Sequence, residues 1–318
     1  MPASALAIDL GGTNLRCALV DERGSIVFEA RESTQAEQGV DAVINRIARM
    51  IQHVAAETGS GPEIEVGVAA PGPLDPRQGI VKFMPNLPGW YDVPLRERLE
   101  AQLSRRVHLG NDANAAVLGE FYFGAGRDVQ NLVYLGLGTG VGGGVVSEGR
   151  LIDGARGMGG ELGHVTVSMD GPRCSCGSSG CIEAYCSGWA LARDAQALVE
   201  SDRSPGISTA SKGGVPDARA VSAAARAGDQ EARALLERAG LALGAGLGGF
   251  INTFNPELIV IGGGLSRIGD PLLDPARRGA RAFAFPALAE TLPIVRTELD
   301  GRAGILGAAA LVFYAGAQ

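Results

Sequence analysis

The apolar positions of this chain fall into two patterns: short runs that stop at glycine, and longer stretches with helical spacing. Residues 5–10 form an apolar run that ends at Gly11-Gly12-Thr13, and 16–20 form another, which predicts two strands joined by a hairpin-like turn. A third strand is expected at 25–30. Between 40 and 56 the side chains Val40, Val43, Ile44, Ile47, Met50 and Ile51 recur with the period of a helix. A buried strand is expected at 64–69, ending in Pro71-Gly72-Pro73, then a helix at 95–103 and a strand at 107–109. Gly110-Asn111-Asp112 follows, with Asn111 or Asp112 suited to open a helix over 113–121.

The pattern then restarts. Residues 131–138 read as a strand, Thr139-Gly140 as a turn and 141–146 as a returning strand. This repeats the strand, Gly-Thr turn, strand unit of the N-terminus and suggests two lobes on related plans. Helices are expected at 186–201, 217–227 and 230–250, with 201–216, rich in Ser, Gly and Pro, as a mobile surface loop. A strand at 258–261 runs into Gly262-Gly263-Gly264, and the chain ends in an apolar helix at 305–314. Strands and helices mixed in this order make an α/β protein.

Composition narrows the class. With 318 residues, 46% hydrophobic and 20% charged, the chain is globular and long enough for two cores. No unbroken apolar stretch reaches the roughly eighteen residues of a membrane span, and no apolar leader opens the chain. The net charge of −7, without a basic run, argues against nucleic acid and anionic membranes as main partners. A nucleotide stays compatible, because backbone N–H groups can hold phosphates without adding charge. A cytoplasmic protein is expected. The 48 glycines cluster at 11–12, 136–144, 157–163 and 262–264, where turns or close ligand approach are expected.

Chemistry concentrates at 161–183. His164, Cys174, Cys176 and Cys181 supply one imidazole and three thiols, a complete tetrahedral zinc set. Gly177 and Gly180 allow the tight wrapping this requires. Four protein ligands leave no site for water, so the zinc would be structural. An odd count of five cysteines speaks against a disulfide framework. Cys17 and Cys186 lie outside the spacing and read as buried thiols. His53 and His108 have no metal-spaced partner, and Trp90, Tyr91 and Trp189 read as packing residues.

Two glycine turns could hold phosphates. In Asp9-Leu-Gly11-Gly12-Thr13-Asn14-Leu-Arg16 the glycines free backbone N–H groups, Thr13 adds a hydroxyl, and Asp9 is placed for a hydrated Mg²⁺. Gly138-Thr139-Gly140 offers a second set. Gly262-Gly263-Gly264 is either a flat support for a base or ribose, or a tight strand-to-helix turn. Asn111-Asp112 sits where a strand gives way to a helix, where open sheets bind ligands. Asp112 there is either a base for an attacking hydroxyl or a helix cap.

Together these motifs resemble the ROK family of sugar kinases, and within it the bacterial glucokinases. The likeness covers almost the whole chain. It rests on Asp9 to Asn14 with Arg16, Pro71-Gly-Pro73, Asn111-Asp-Ala-Asn114, the stretch Leu137 to Gly144, Gly160-Glu-Leu-Gly-His164, Cys174 to Glu183 and Ile261-Gly-Gly-Gly264. The resemblance implies the actin-like ATPase (ribonuclease H-like) fold, with two lobes around a nucleotide and sugar cleft. The small lobe would be 1–118 plus 304–318, and the large lobe 119–303 with the zinc loop at 164–181. It implies ATP-dependent phosphorylation of the 6-hydroxyl of glucose, with Asp112 as general base. Glu161, His164, Glu183, Asn111 and the backbone near Gly72 would hold the sugar, and Asn86 is a further contact. His164 would bind zinc and face the sugar at once. Other substrates compatible with the resemblance are N-acetylglucosamine, N-acetylmannosamine, mannose and fructose, with polyphosphate as another donor. The resemblance also suggests a homodimer or homotetramer. The family's DNA-binding sugar sensors carry a domain ahead of the first phosphate strand, for which residues before Ala5 leave no room, so a regulator without kinase activity is the distant alternative.

Overall fold

The computed structural model describes residues 3–84 and 87–317. The first strands are β1 (Ser4–Leu10), β2 (Asn14–Asp21) and β3 (Ile26–Ser33), followed by helix α1 (Val40–Thr58). Next come β4 (Val66–Ala70), β5 (Leu74–Asp75), β6 (Ile80–Phe83) and β7 (Tyr91–Val93), then α2 (Leu95–Leu103), β8 (Val107–Asn111) and α3 (Asp112–Phe123). The middle of the chain holds β9 (Leu132–Leu137), β10 (Val141–Ser147), β11 (Arg150–Leu151), α4 (Glu183–Cys186) and α5 (Gly188–Glu200). It continues through α6 (Pro205–Ala210), α7 (Ala218–Ala227), α8 (Gln230–Phe254), β12 (Leu258–Gly262), α9 (Asp270–Phe283), α10 (Pro286–Ala289), β13 (Ile294–Arg296) and α11 (Ala303–Ala317).

The chain divides into two compact units. The first comprises Met1–Gln130, Gly144–Gly160 and Glu298–Gln318, the second Asn131–Gly143 and Glu161–Thr297. In the first, the strands run β3-β2-β1-β4-β8, with β1 antiparallel to β2 and parallel to β4. β1 is apolar because it is central, and its residues Ala5 to Ile8 are fully buried. α11 is apolar all round because it lies between α3 and the strands β1 and β4. α1 buries Val43, Ile44, Ile47, Met50 and Ile51, the stripe its periodicity marks. A small antiparallel sheet, β5-β6-β7, is an addition that the sequence pattern did not announce.

In the second unit β9 lies between β10 and β12, and β12 pairs with β13. β10 runs on past Gly143 into the first unit, where it pairs with β11. The two sheets therefore share one plan: an antiparallel hairpin, then parallel strands added on the far side of its first strand. The repeated strand, Gly-Thr turn, strand unit in the sequence is the trace of this common plan.

One expectation fails. Residues 201–216 are not a bare loop, because α6 forms within them. Ser204 caps it, accepting the Ile207 N–H at 3.3 Å, Pro205 takes the first helical position and Ile207 is buried. The Ser-Pro pair is a helix-start signal that the loop-like composition of the segment masked. α9 and β13 also lie in a stretch where no element was expected. Among the described residues one helix, α8, is long and apolar enough to cross a membrane, but most of it is buried, chiefly against α9.

Candidate active site

In the first unit, Asp9 stands at the end of β1 directly across from Arg16 on β2. Its Oδ2 lies 4.0 Å from Arg16 Nη1, while Arg16 Nε donates to Glu29 at 2.8 Å. Burial raises the Asp9 carboxyl above its ordinary range, and the Arg16 guanidinium opposes that. Gly304, in the first turn of α11, is close enough that a Cβ there would lie 2.4 Å from Asp9 Oδ2. The positive end of that helix therefore meets the carboxylate. The turn Gly11-Gly12-Thr13-Asn14 closes through Gly11 N–H donating to Asn14 O at 3.0 Å. Thr34, fully buried, holds it from outside: its hydroxyl donates to Gly11 O at 2.7 Å and its N–H to Thr13 O at 2.8 Å. Thr34 was missed in the sequence because its contact spans the β2 and β3 strands and leaves no local pattern.

Asn111 ends β8 and caps α3. Its Oδ1 accepts from Ala113 N–H at 2.9 Å and Asn114 N–H at 3.3 Å, and its amide donates to Gly72 O at 3.2 Å. The capping role that the sequence offered to Asn111 or Asp112 falls to Asn111, which leaves Asp112 at the first helical position with its side chain exposed. Gly72 is brought beside Asn111 by this bond. Asn86 lies outside the described residues.

In the second unit, Gly138, Thr139 and Gly140 form the tip between β9 and β10. Gly138 N–H donates to Gly140 O at 2.9 Å. The first turn of α5 supports the tip, with Gly188 N–H on Gly138 O at 2.8 Å and Trp189 N–H on Thr139 O at 3.3 Å. Gly262-Gly263-Gly264 leaves β12 against the base of this hairpin. Gly263 has φ +78°, and a Cβ there would sit 2.3 Å from Leu137 O, so only glycine permits the approach. Of the two readings of this triplet, the tight strand-to-helix turn is present, since a 3₁₀ turn starts at Gly264. The structure thus brings 138–140 and 262–264 together within one unit.

Glu161 is exposed and precedes the 3₁₀ turn Leu162–His164. His164 Nδ1 lies 3.6 Å from Cys174 Sγ, and Cys176 Sγ lies 3.8 Å from Cys181 Sγ. All four ligand atoms fall within 4.8 Å of one another. A tetrahedron with metal–sulfur bonds of about 2.3 Å has edges of about 3.8 Å, so the residues fit a zinc ion. A disulfide requires about 2.05 Å between sulfurs, and all five cysteines are free. The loop closes through Gly180, whose φ is +69° and whose Cβ would collide with Ser168 O at 1.7 Å. Burial pushes the Cys181 thiol up to about 12, whereas the Ser178 backbone N–H lowers that of exposed Cys176. A divalent cation at the centre would deprotonate both. Cys17 and Cys186 are fully buried, as expected, and burial pushes both thiols up.

Glu183 opens α4 two residues after Cys181. It is 6% exposed and accepts from Val141 N–H, the Ser175 hydroxyl and the Trp189 indole. Trp90 is a buried packing residue, but Tyr91 is exposed and lies against Phe83, and Trp189 has this polar contact besides its packing.

The model of the ROK family matches residues 5–314. The chain is 42% identical over 309 residues to a glucokinase of Thermotoga maritima, covering 96% of each. Among solved structures it is similar to a ROK hexokinase from Thermus thermophilus, at 35% identity and a TM-score of 0.84, over 99% of this chain and all of the other. It is also similar to a ROK family glucokinase from Streptomyces griseus in complex with glucose and AMPPNP, at 32% identity and a TM-score of 0.81, over 97% and 98% of the two chains.

Proposed function

This chain belongs to the ROK family and has its actin-like ATPase fold, and from that premise we propose that it is an ATP-dependent hexokinase that phosphorylates the 6-hydroxyl of glucose. The observation that carries the reading is the placement of Asp112. An exposed carboxylate at the start of α3, whose Oδ1 accepts the Ala113 N–H at 2.8 Å, stands on a chain similar over its length to glucokinases.

Each residue has a role in this proposal. Asp112 orients the 6-hydroxyl and takes its proton as the oxygen attacks the γ-phosphorus in line, with ADP as the leaving group. Asn111 positions Asp112 through the cap and, with the Gly72 backbone, offers groups to the sugar. Glu161, His164 and Glu183 supply further partners for sugar hydroxyls. Nδ1 of His164 faces the cysteines, so with a metal on Nδ1 the ring would offer Nε2–H to a hydroxyl. Zinc on the four ligands would fix that tautomer and hold the loop. The backbone N–H groups of Gly11 to Asn14 and of Gly138 to Gly140, with the Thr13 hydroxyl, Arg16 and the turn 262–264, are assigned to ATP. Mg²⁺ carried with the nucleotide would neutralise phosphate charge, and Asp9 is the carboxylate placed to hold it.

The test is an ADP-release assay with MgATP, and separately with polyphosphate, on zinc-loaded protein against glucose, mannose, fructose, N-acetylglucosamine and N-acetylmannosamine. Glucose turnover well above the rest is expected. Preference for another sugar would overturn the substrate and leave the kinase, and turnover with none would overturn the kinase.

A further inference from the structure

Glu183 carries more protein hydrogen bonds than a sugar contact needs. Its Oε2 accepts the Val141 N–H at 2.9 Å, at the foot of the glycine hairpin. Its Oε1 accepts the Ser175 hydroxyl at 2.6 Å and the Trp189 indole N–H at 3.3 Å. Ser175 lies between two of the four clustered ligands, Cys174 and Cys176. Trp189 lies in the turn of α5 whose backbone already supports the hairpin. The hairpin is seated on the carboxylate itself, since a Cβ on Gly140 would be 2.6 Å from Glu183 Oε2. The Cys174 thiol also lies 3.8 Å from Oε1, so these four donors occupy about all the acceptor positions of the carboxylate, and one would be released to a sugar hydroxyl if Cys174 ionised on a metal.

We propose that Glu183 ties the glycine hairpin to the Cys/His loop, with Ser175 and Trp189 as positioning residues, so that metal and nucleotide binding are coupled. This rests on the reading above, in which the hairpin holds phosphates and the loop holds zinc. A loop ordered by its metal presents the Ser175 hydroxyl to Oε1. That bond and the indole N–H fix the carboxylate, whose other oxygen fixes Val141 N–H and with it the hairpin tip. A hairpin held in place beforehand costs less ordering entropy when nucleotide arrives. A buried carboxylate deprived of a donor is both undersatisfied and freer to move, and the hairpin loses its seat. Linkage is reciprocal, so nucleotide would in turn tighten metal retention.

The experiment is calorimetric titration of AMPPNP into the 318-residue chain, zinc-loaded and after chelation, with zinc content measured by atomic emission and folding by circular dichroism. Chelation is expected to weaken AMPPNP binding by about fivefold or more. Ser175 is exposed and is not a ligand, so Ser175→Ala keeps its zinc and its fold. In that variant the zinc-loaded affinity should fall to about the chelated value, leaving a zinc dependence below about twofold. Ser175→Thr restores the hydroxyl and should restore the dependence. The KM for ATP should rise more than that for the sugar in Ser175→Ala. Full zinc dependence in Ser175→Ala, or unchanged AMPPNP affinity in zinc-free folded wild type, overturns the coupling while leaving the kinase reading intact. Wild type that binds AMPPNP but takes up no zinc overturns the zinc assignment and the coupling with it. The comparison of zinc-loaded Ser175→Ala with zinc-loaded wild type needs no chelation, so loop unfolding in the zinc-free protein does not obscure that part of the result.

Discussion

The side chains assigned to chemistry differ in how they are held, and that sets what their removal should do. Asp112 is exposed and its backbone is fixed by the Asn111 cap, so Asp112→Asn should leave the local fold in place. Its kcat should fall by about 10²–10⁴, the usual worth of a general base, with glucose affinity by calorimetry changed little. Substantial turnover in that variant would remove Asp112 as the base. The cluster of cysteines with His164 was legible in the sequence because its spacing is short and local. Thr34 and Ser175 were not, because what marks them is a partner distant in the chain or a role in aiming another residue.

At the scale of elements, most strands and helices follow their apolar periods, and the ends differ by a few residues. The exceptions are informative. α6 formed where composition suggested a loop, and it is fastened by Asp229, the cap of α8. Asp229 accepts from Ala232 N–H at 2.9 Å, from the Ser204 hydroxyl at 2.8 Å and from Gly206 N–H at 2.9 Å. Partial burial pushes its carboxyl up, but these donors outweigh that and hold it below the usual carboxylate range. Asp229→Ala should cost about 1–2 kcal/mol, as loss of a helix cap does, measured by urea unfolding. Because the folded pKa is depressed, the contribution is full above the unfolded carboxyl pKa and is lost as pH falls through the folded one. The difference between wild type and variant should therefore shrink in acid. A gap that stays constant to low pH would show that the carboxylate charge is not what holds α6 and α8.

At the scale of the whole molecule, ligands should act on stability through linkage. AMPPNP at a free concentration of about 100 Kd should stabilise by about 2.7 kcal/mol and raise the melting temperature. Chelation should lower it, because a structural zinc site contributes folding free energy. A melting curve unmoved by complete zinc removal would mean that backbone bonds such as Gly180 N–H on Pro172 O and Val167 N–H on Gly180 O, both 2.8 Å, hold the loop unaided. The two units need not melt together, so calorimetry should be examined for more than one transition.

The sequence by itself determined the α/β class, the repeated strand and turn unit, the cluster of His164 with three cysteines and the family resemblance. All of these are written in local spacing, where neighbours in the chain are neighbours in space. It also marked both glycine turns, because glycine clusters between apolar runs have few other uses. Only the tertiary structure decided that Asn111 rather than Asp112 makes the cap, that the triplet 262–264 rests on the base of the second hairpin, and that Glu183 is shared between that hairpin and the cysteine loop. The cap is a local contest for the Ala113 N–H, which both residues reach, while the other two depend on which groups meet across distant parts of the chain, Gly263 with Leu137 and Glu183 with Val141. Burial makes that pairing obligatory, and no local pattern encodes it.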